Sequence, residues 1–376
     1  MPPSAAADSP VTLVCGEDDF LVKRRSRQLF EQWAGGAGDF DREIIDGGAA
    51  NSGEALRSIS RLRESIQTLP FFGQGKTVWW QNCSFLGEDR TSTSTAVTDA
   101  LADLADEIKS FAWGKVRLLI SAGKVDKRRV FYKAIEKIGR TELLDGWSLE
   151  DRDWASQAEA WAERELAEIG RSITPAALAA LVTAAGPNPR LLRAEIDKLD
   201  LYAEAGRPIE ESDIEAVVAR QKQAEAFALA EAVGDRDLAR ALRHLDSELS
   251  DLARDSQKSA IGILYGLITK IRVLLFLREA VRIGWIKTDT DYQRFKSQLT
   301  RLPAAGLPSD KRWNPLLQHP FVLFKALPQL GRYQTPELIR IMDRLLDANR
   351  KLVGSGLPEE LVLRQLVVQI IRPSAS

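Results

Sequence analysis

At 376 residues, with 44% hydrophobic and 28% charged residues, the chain has the composition of an ordinary globular protein long enough for two or three cores. Its formal net charge of -1 excludes a strongly basic nucleic-acid binder, so any DNA contact has to come from a local basic surface. Two cysteines, Cys15 and Cys83, can supply neither a four-ligand zinc site nor a disulfide framework, and the low count fits a reducing cytosol.

Residues 1–10, MPPSAAADSP, show no basic region followed by an apolar core and read as a disordered tail rather than a signal. From there strands and helices alternate. VTLVC at 11–15 is a candidate buried parallel strand. A helix is predicted at 18–34, with Phe20, Leu21, Leu29, Phe30 and Trp33 near one stripe and Asp18 or Asp19 as its cap. REIID at 42–46, KTVWWQ at 76–81, VRLLIS at 116–121 and TELLD at 141–145 complete the strand set. Helices at about 53–66, 94–109 and 127–138 lie between them. This alternation predicts a parallel sheet covered by helices over residues 11–146, with Trp79 and Trp80 as structural strand residues.

After 146 no strand is predicted. Helices at 149–169, 175–185, 189–204 and 213–220 form a small helical domain over 147–220. Thr174-Pro175 gives one clear start, Ser148 with Asp151 a second, and Ser212 with Glu215 reads as a capping box. Longer helices follow in a third, helical domain over 221–376: 223–233, 235–253, 257–283, about 289–300, 318–329, 335–352 and 358–372. Thr335-Pro336-Glu337 marks one start and PAAGLP at 303–308 a loop. The most apolar stretch, 261–277, falls short of a membrane span and is broken by Lys270 and Arg272, so it reads as a buried helix and no membrane is expected. Two histidines far apart in sequence, His244 and His319, argue against a histidine-based metal site, and neither a metal nor a cofactor is expected.

Several segments resemble the delta family of bacterial clamp loaders: VTLVCGEDDFLVKRR at the first strand and helix, LPFFGQGKTVWW at a turn before a strand, GPNPRLLRAEIDKLDLYA at 186–203, and HPFVLFKALPQL at 319–330 with the helix 335–352. The resemblance runs over nearly the whole chain. It implies an AAA+-like N-terminal domain without a functional nucleotide site, a small lid-like helical domain and a C-terminal collar. It implies no catalytic site on this chain, which would be part of the DNA polymerase III holoenzyme. Implied partners are the beta sliding clamp, the gamma/tau ATPase subunits, delta-prime, and primed DNA within a five-subunit loader.

The residues agree on the missing ATPase chemistry. A phosphate loop needs G-x-x-x-x-G-K-[ST] between a strand and a helix. Gly75-Lys76-Thr77 supplies only its end, position 70 is Pro, and a strand follows instead of a helix. The loop's proper place after VTLVC reads Gly16-Glu17-Asp18-Asp19, whose carboxylates would repel a triphosphate. The strand that would carry a magnesium-binding acid ends in Ser121 and Ala122. The Ser-Arg-Cys arginine-finger motif of sister subunits is absent.

Phe71 and Phe72, bracketed by Pro70 and Gly73, are either core or an exposed recognition pair. With Leu69 they match the hydrophobic element that the delta family inserts into the clamp, so the resemblance implies clamp binding. Basic residues cluster at Lys23, Arg24, Arg25 and Arg27, and at Lys124, Lys127, Arg128 and Arg129. The second cluster is the candidate for phosphate contact, although a solvated helix face is the commoner origin of such runs. Trp313 either stacks on a base or packs in the collar. Two rival classes use the same features: an AAA+ ATPase with a degenerate motif, and a helical interaction scaffold unrelated to replication.

Overall fold

In the computed structural model the described residues are 9–34, 41–68, 75–148, 151, 153–218, 222–252, 259–303, 307–308, 310 and 313–372. The chain divides into two compact units, 1–147 and 148–376.

The first unit is a five-stranded parallel sheet. Its strands are β1 (Val11–Cys15), β2 (Arg42–Asp46), β3 (Lys76–Cys83), β4 (Val116–Ala122) and β5 (Arg140–Leu143), in the order β2-β3-β4-β1-β5. Its helices are α1 (Asp19–Ala34), α2 (Ser52–Gln67), α3 (Thr95–Ser110) and α4 (Val130–Ile138). The central strands β1, β3 and β4 are largely buried on both faces because helices cover both. Leu13, Cys15, Val78, Trp80, Leu118 and Ile120 pack under α2, α3 and α4. Their neighbours Val14, Trp79 and Leu119 point the other way, onto Val22, Leu29 and Phe30 of α1. The adjacent tryptophans therefore serve opposite cores, and each indole finds a hydroxyl acceptor: Trp79 on Ser121 at 3.0 Å and Trp80 on Ser58 at 2.8 Å.

Two boundaries differ from the sequence expectation for identifiable reasons. The helix expected from 127 starts at Val130, because Asp126 first turns the chain, accepting from the Arg128 amide on its carboxylate and from the Arg129 amide on its carbonyl. β3 runs on to Cys83 through an irregularity after Trp80, where Asn82 takes φ 57° and its amide is held by Ser121.

The second unit is helical: α5 (Trp154–Glu168), α6 (Pro175–Ala185), α7 (Pro189–Tyr202), α8 (Glu211–Val217), α9 (Lys222–Gly234), α10 (Leu238–Leu252), α11 (Ala260–Arg282), α12 (Tyr292–Leu299), α13 (Pro320–Ala326), α14 (Thr335–Gly354) and α15 (Glu359–Ile371). Two tighter turns, Pro315–Leu317 and Leu327–Arg332, flank α13. Among the described residues, beyond helix, one isolated bridge links Ile173 and Ile209.

Helices α5 to α8 pack on one another around Ala158, Ala162, Leu181, Leu192, Ile196 and Leu199. Helices α9 to α15 share a larger core centred on α11, which buries Leu264, Leu267, Ile271, Leu274 and Leu277. Among the described residues α11 is the one helix long and apolar enough to cross a membrane, and here it is a core helix. Its Lys270 is buried and bonds Glu231 of α9 at 2.5 Å. The α9–α10 turn ties the chain's last helices together. Arg236 donates to the carbonyls of Arg332 at 2.7 Å and Ile371 at 3.2 Å, pairs with Glu337, and stacks on the Tyr333 ring at 4.1 Å.

Helix starts are partly as expected. Thr174 caps α6 and accepts the Ala177 amide at 3.3 Å. The start expected at Ser148 falls instead at Trp154, after Asp153. The box expected of Ser212 and Glu215 is formed two residues earlier by Glu210 and Asp213, because Arg207 grips the Asp213 carboxylate through two bonds of 2.7 Å and orients it toward the Glu210 amide. α14 starts at Thr335 as expected, with Gln334 as the cap that forms a box with Glu337.

The hydrogen bonds from Arg207 hold the Asp213 carboxyl down at about 2, from an ordinary 3.8. A depressed folded-state value contributes stability that is complete above the unfolded value and is lost as pH falls through the folded one. Asp213→Asn should therefore lower the melting temperature at neutral pH and flatten the acid-unfolding profile over the window from 3.8 down to about 2, as read by melts at stepped pH.

Candidate functional site

Parallel sheets of this kind take ligands in the crevice beyond the carboxyl ends of their central strands, where β1 and β4 end side by side. Gly16, Glu17 and Asp18 alone separate β1 from α1. Gly16 adopts φ +154°, and a Cβ on it would lie 2.0 Å from the Leu144 carbonyl oxygen, so only glycine fits. The Leu144 amide in turn donates to the Cys15 carbonyl at 2.7 Å, and its carbonyl accepts from the Asp18 amide at 3.2 Å. The link is too short and too tightly held against 144–146 to form a loop around a phosphate.

The chain's own carboxylates occupy the positions that would attract one. Asp18 caps α1, accepting the Leu21 amide at 2.9 Å, and so satisfies a donor of the helix end that would otherwise face an anion. The Glu17 amide bonds Asp145 at 3.3 Å, while its side chain pairs with Lys124 at 2.6 Å, just beyond β4. Hydrogen bonding and charge from Lys124 hold the Glu17 carboxyl below its usual range. At the end of β4, Ser121 spends its hydroxyl on the Trp79 indole and the Asn82 amide. Cys15 is buried, which pushes its thiol up to about 11 and leaves no thiolate for chemistry.

Lys76 is equally committed. At the start of β3 it is buried, donates to the Ser65 carbonyl at 2.7 Å and pairs with Glu43 of β2 at 3.0 Å. Lys76 and Thr77 are thus strand and core.

Leu69, Phe71 and Phe72 lie outside the described residues. The flanks are fixed: the Thr68 amide closes α2 onto the Glu64 carbonyl, and the Lys76 amide bonds the Lys115 carbonyl at 2.9 Å.

The basic cluster after β4 divides by role. Arg129 is half-buried and holds the Ser92 carbonyl and Asp126. Arg128, though exposed, pairs with Asp126 at 2.9 Å and Glu88 at 2.5 Å. Lys124 pairs with Glu17. Lys127 is exposed and makes no ion pair with the described residues. Lys124, Asp126, Lys127 and Arg128, with Gly87, Glu88 and Asp89, line a surface hollow of about 390 Å³. In the earlier cluster Lys23 pairs with Asp19 at 3.5 Å, and Arg25 grips Glu142 through bonds of 2.6 and 3.0 Å. Trp313, in the second unit, is half exposed and carries the Arg272 guanidinium on its ring at 4.0 Å, so one face is already stacked.

Sequence reading placed these charges but not their pairing. The acidic run 16–19 and the lysines after β4 stand out separately, and only the adjacency of β1 and β4 brings Glu17 to Lys124. Among the described residues no cluster suited to holding a metal ion occurs.

Residues 13–142 match the family model described as DNA polymerase III, delta subunit, so the resemblance read from the sequence holds over the sheet unit. The fold is a five-stranded parallel-sheet unit followed by a helical unit. Among solved structures, the chain is similar to a DNA clamp loader delta protein from Bacillus subtilis, at 18% identity and a TM-score of 0.44, covering 96% of this chain and 95% of that one. A DNA polymerase III gamma subunit-related protein from Thermotoga maritima matches at 10% identity and a TM-score of 0.29, covering 97% and 95%. The RuvB Holliday junction branch migration motor of Thermotoga maritima matches at 11% and 0.32, covering 60% and 68%. Among curated proteins none matches the chain.

If Lys76 is a core residue, Lys76→Ala should destabilise the protein by about 1–3 kcal/mol through the Glu43 and Ser65 contacts it strands. Thermal melts would show this, with calorimetric titration of magnesium–ATP flat for both the parent and the variant. Saturable binding by the parent, lost in the variant, would instead make Lys76 a nucleotide ligand.

Proposed function

We propose that this chain is the delta subunit of a bacterial replicative clamp loader, which grips and opens the ring-shaped beta clamp and carries out no nucleotide chemistry itself. The observation that carries the reading is the sealed β1–α1 turn: within a region that matches the delta family, the place where an ATPase would hold phosphates is closed by Gly16 and occupied by Glu17 and Asp18. That turn weighs against the degenerate-ATPase alternative, and the ordered sheet unit weighs against a purely helical scaffold.

In this reading the clamp-binding element is Leu69, Phe71 and Phe72, carried between the fixed end of α2 and the fixed start of β3. Pro70 restricts the backbone on one side and Gly73 frees it on the other. The ATPase subunits, delta-prime and primed DNA are the remaining partners. Residues 147–220 form the lid-like domain and 221–376 the collar. Nucleotide binding by the neighbours would make the grip available, and opening follows if the element binds the parted clamp interface better than the closed one.

Fully burying one Phe is worth about 1.5–3 kcal/mol, so the pair can anchor a complex. Phe71→Ala with Phe72→Ala should weaken clamp binding by about tenfold or more, since 1.4 kcal/mol is already a factor of ten. Surface-immobilised clamp titrated with each protein reads this, beside a melt. Unchanged affinity, or a variant that unfolds, would assign the pair to the core.

The DNA contribution falls chiefly to Lys127, because Lys124, Arg128 and Arg129 hold partners within the chain. Lys127→Ala should lower loading on primed DNA and reduce its salt slope by about one counterion's worth. An unchanged slope would make Lys127 a solvated side chain only.

A further inference from the structure

The second unit contains two helix groups that meet across a small junction. Their internal cores are apolar and continuous, as described above. The contact between them is built differently. α6 packs on α12 and α13, and the apolar part consists of Ala179, Tyr292 and Phe321, with Ala176, Ala180 and Phe324 at its edge. Beside it sits a polar cluster. Glu159 of α5, largely buried, reaches His319 Nε2 at 3.3 Å and Lys296 Nζ of α12 at 3.2 Å. His319 Nδ1 accepts the Phe321 amide at the start of α13 at 3.3 Å and lies 3.5 Å from Thr183 Oγ1 of α6.

This contact is polar, long in its bonds and incompletely satisfied. The buried Tyr292 hydroxyl has no hydrogen-bond partner among the described residues. Burial alone would push the Glu159 carboxyl up; His319 and Lys296 more than offset this and keep it below its usual range. Burial, helped by the same carboxylate, drives the Tyr292 hydroxyl up. Farther along, Lys325 of α13 reaches across to Glu211 and Glu215 of α8 at 3.4 and 3.5 Å. Beside the Lys325 contacts lies a cavity of about 250 Å³, lined by Ala184, Ile214 and Val218 from the first group and Ala228, Phe321 and Val322 from the second. Few buried apolar contacts, a cavity and imperfectly satisfied charges are the marks of a contact that opens before the cores on either side of it.

We propose that Glu159, His319 and Lys296 form a latch that fixes the angle between helices α5–α8 and helices α9–α15, and that releasing it lets the two groups move as rigid bodies. One carboxylate serves two partners on separate helices, so neutralising Glu159 loosens α12 and α13 together. The device is internal to the second unit and is independent of which partners the chain has.

The test is a spin-label distance measurement on the full chain. Cys15 and Cys83 are buried, so labels go to cysteines introduced at exposed sites. Leu201→Cys on α7 with Leu346→Cys on α14 spans the junction, and Tyr265→Cys on α11 with Leu346→Cys stays within the second group. The parent should give one distance for each pair. In Glu159→Gln, which keeps the size and a hydrogen-bonding end, the junction pair should gain a second distance while the pair within the group keeps its own. Lys296→Met serves as a second variant should the first fail to fold. A junction distance unchanged in a folded variant, or a change in both pairs, would overturn the latch.

Discussion

The first unit depends on one missing side chain. β1 lies between β4 and β5, and both the start of α1 and the end of β5 are drawn to the point where Gly16 leaves the strand. The Leu144 carbonyl can approach that point only because there is no Cβ. Everything around the carboxyl ends of the strands follows from this close approach: the short link, the Asp18 cap, and the delivery of Glu17 to Lys124. The crevice at the carboxyl ends of the central strands is thereby filled by the chain's own groups. The exposed Glu17–Lys124 pair adds little stability. What it does is cancel charge where a triphosphate would need unopposed cations.

The second unit achieves order by another route. Its long helices share an apolar core, yet the chain path among them is fixed by polar contacts at the helix ends. Arg236 binds carbonyls from the turn before α14 and from the end of α15, and Arg207 sets the cap of α8. Arginine suits these positions because its planar fork can satisfy several acceptors at fixed angles. Such contacts specify which helix end meets which, where interdigitating leucines would tolerate several registers.

Much of this was legible from the sequence. The strands showed because their apolar runs were short and set off by turn residues, and the helices because their apolar faces recurred at the helical period. Both signals are local. The acidic character of the β1–α1 turn was legible from Gly16-Glu17-Asp18-Asp19, and the uncharged end of β4 from Ser121. The start of α14 at Thr335 was legible, whereas the cap of α8 was misplaced by two positions because a cap is chosen by whichever carboxylate is already oriented. Arg207 decides that for Asp213 in a way no i to i+3 spacing reveals. The partnership of Lys124 with Glu17, and that of Glu159 with His319, join residues far apart in the chain and became visible only once the elements were packed.

The buried Lys270 has a consequence for synthesis. α11 is apolar enough that, emerging from a ribosome before its cover exists, it would be prone to stick to other chains or to be taken for a membrane segment. A lysine near its middle opposes both fates, much as gatekeeper charges interrupt hydrophobic stretches. Its counter-ion, Glu231, comes earlier in the chain and is already available when the lysine appears, whereas α14 and α15 are made later. The order in which the residues are translated thus lets the charge be neutralised by an earlier helix, and commits α11 to a protein core before the remainder of that core has been synthesised.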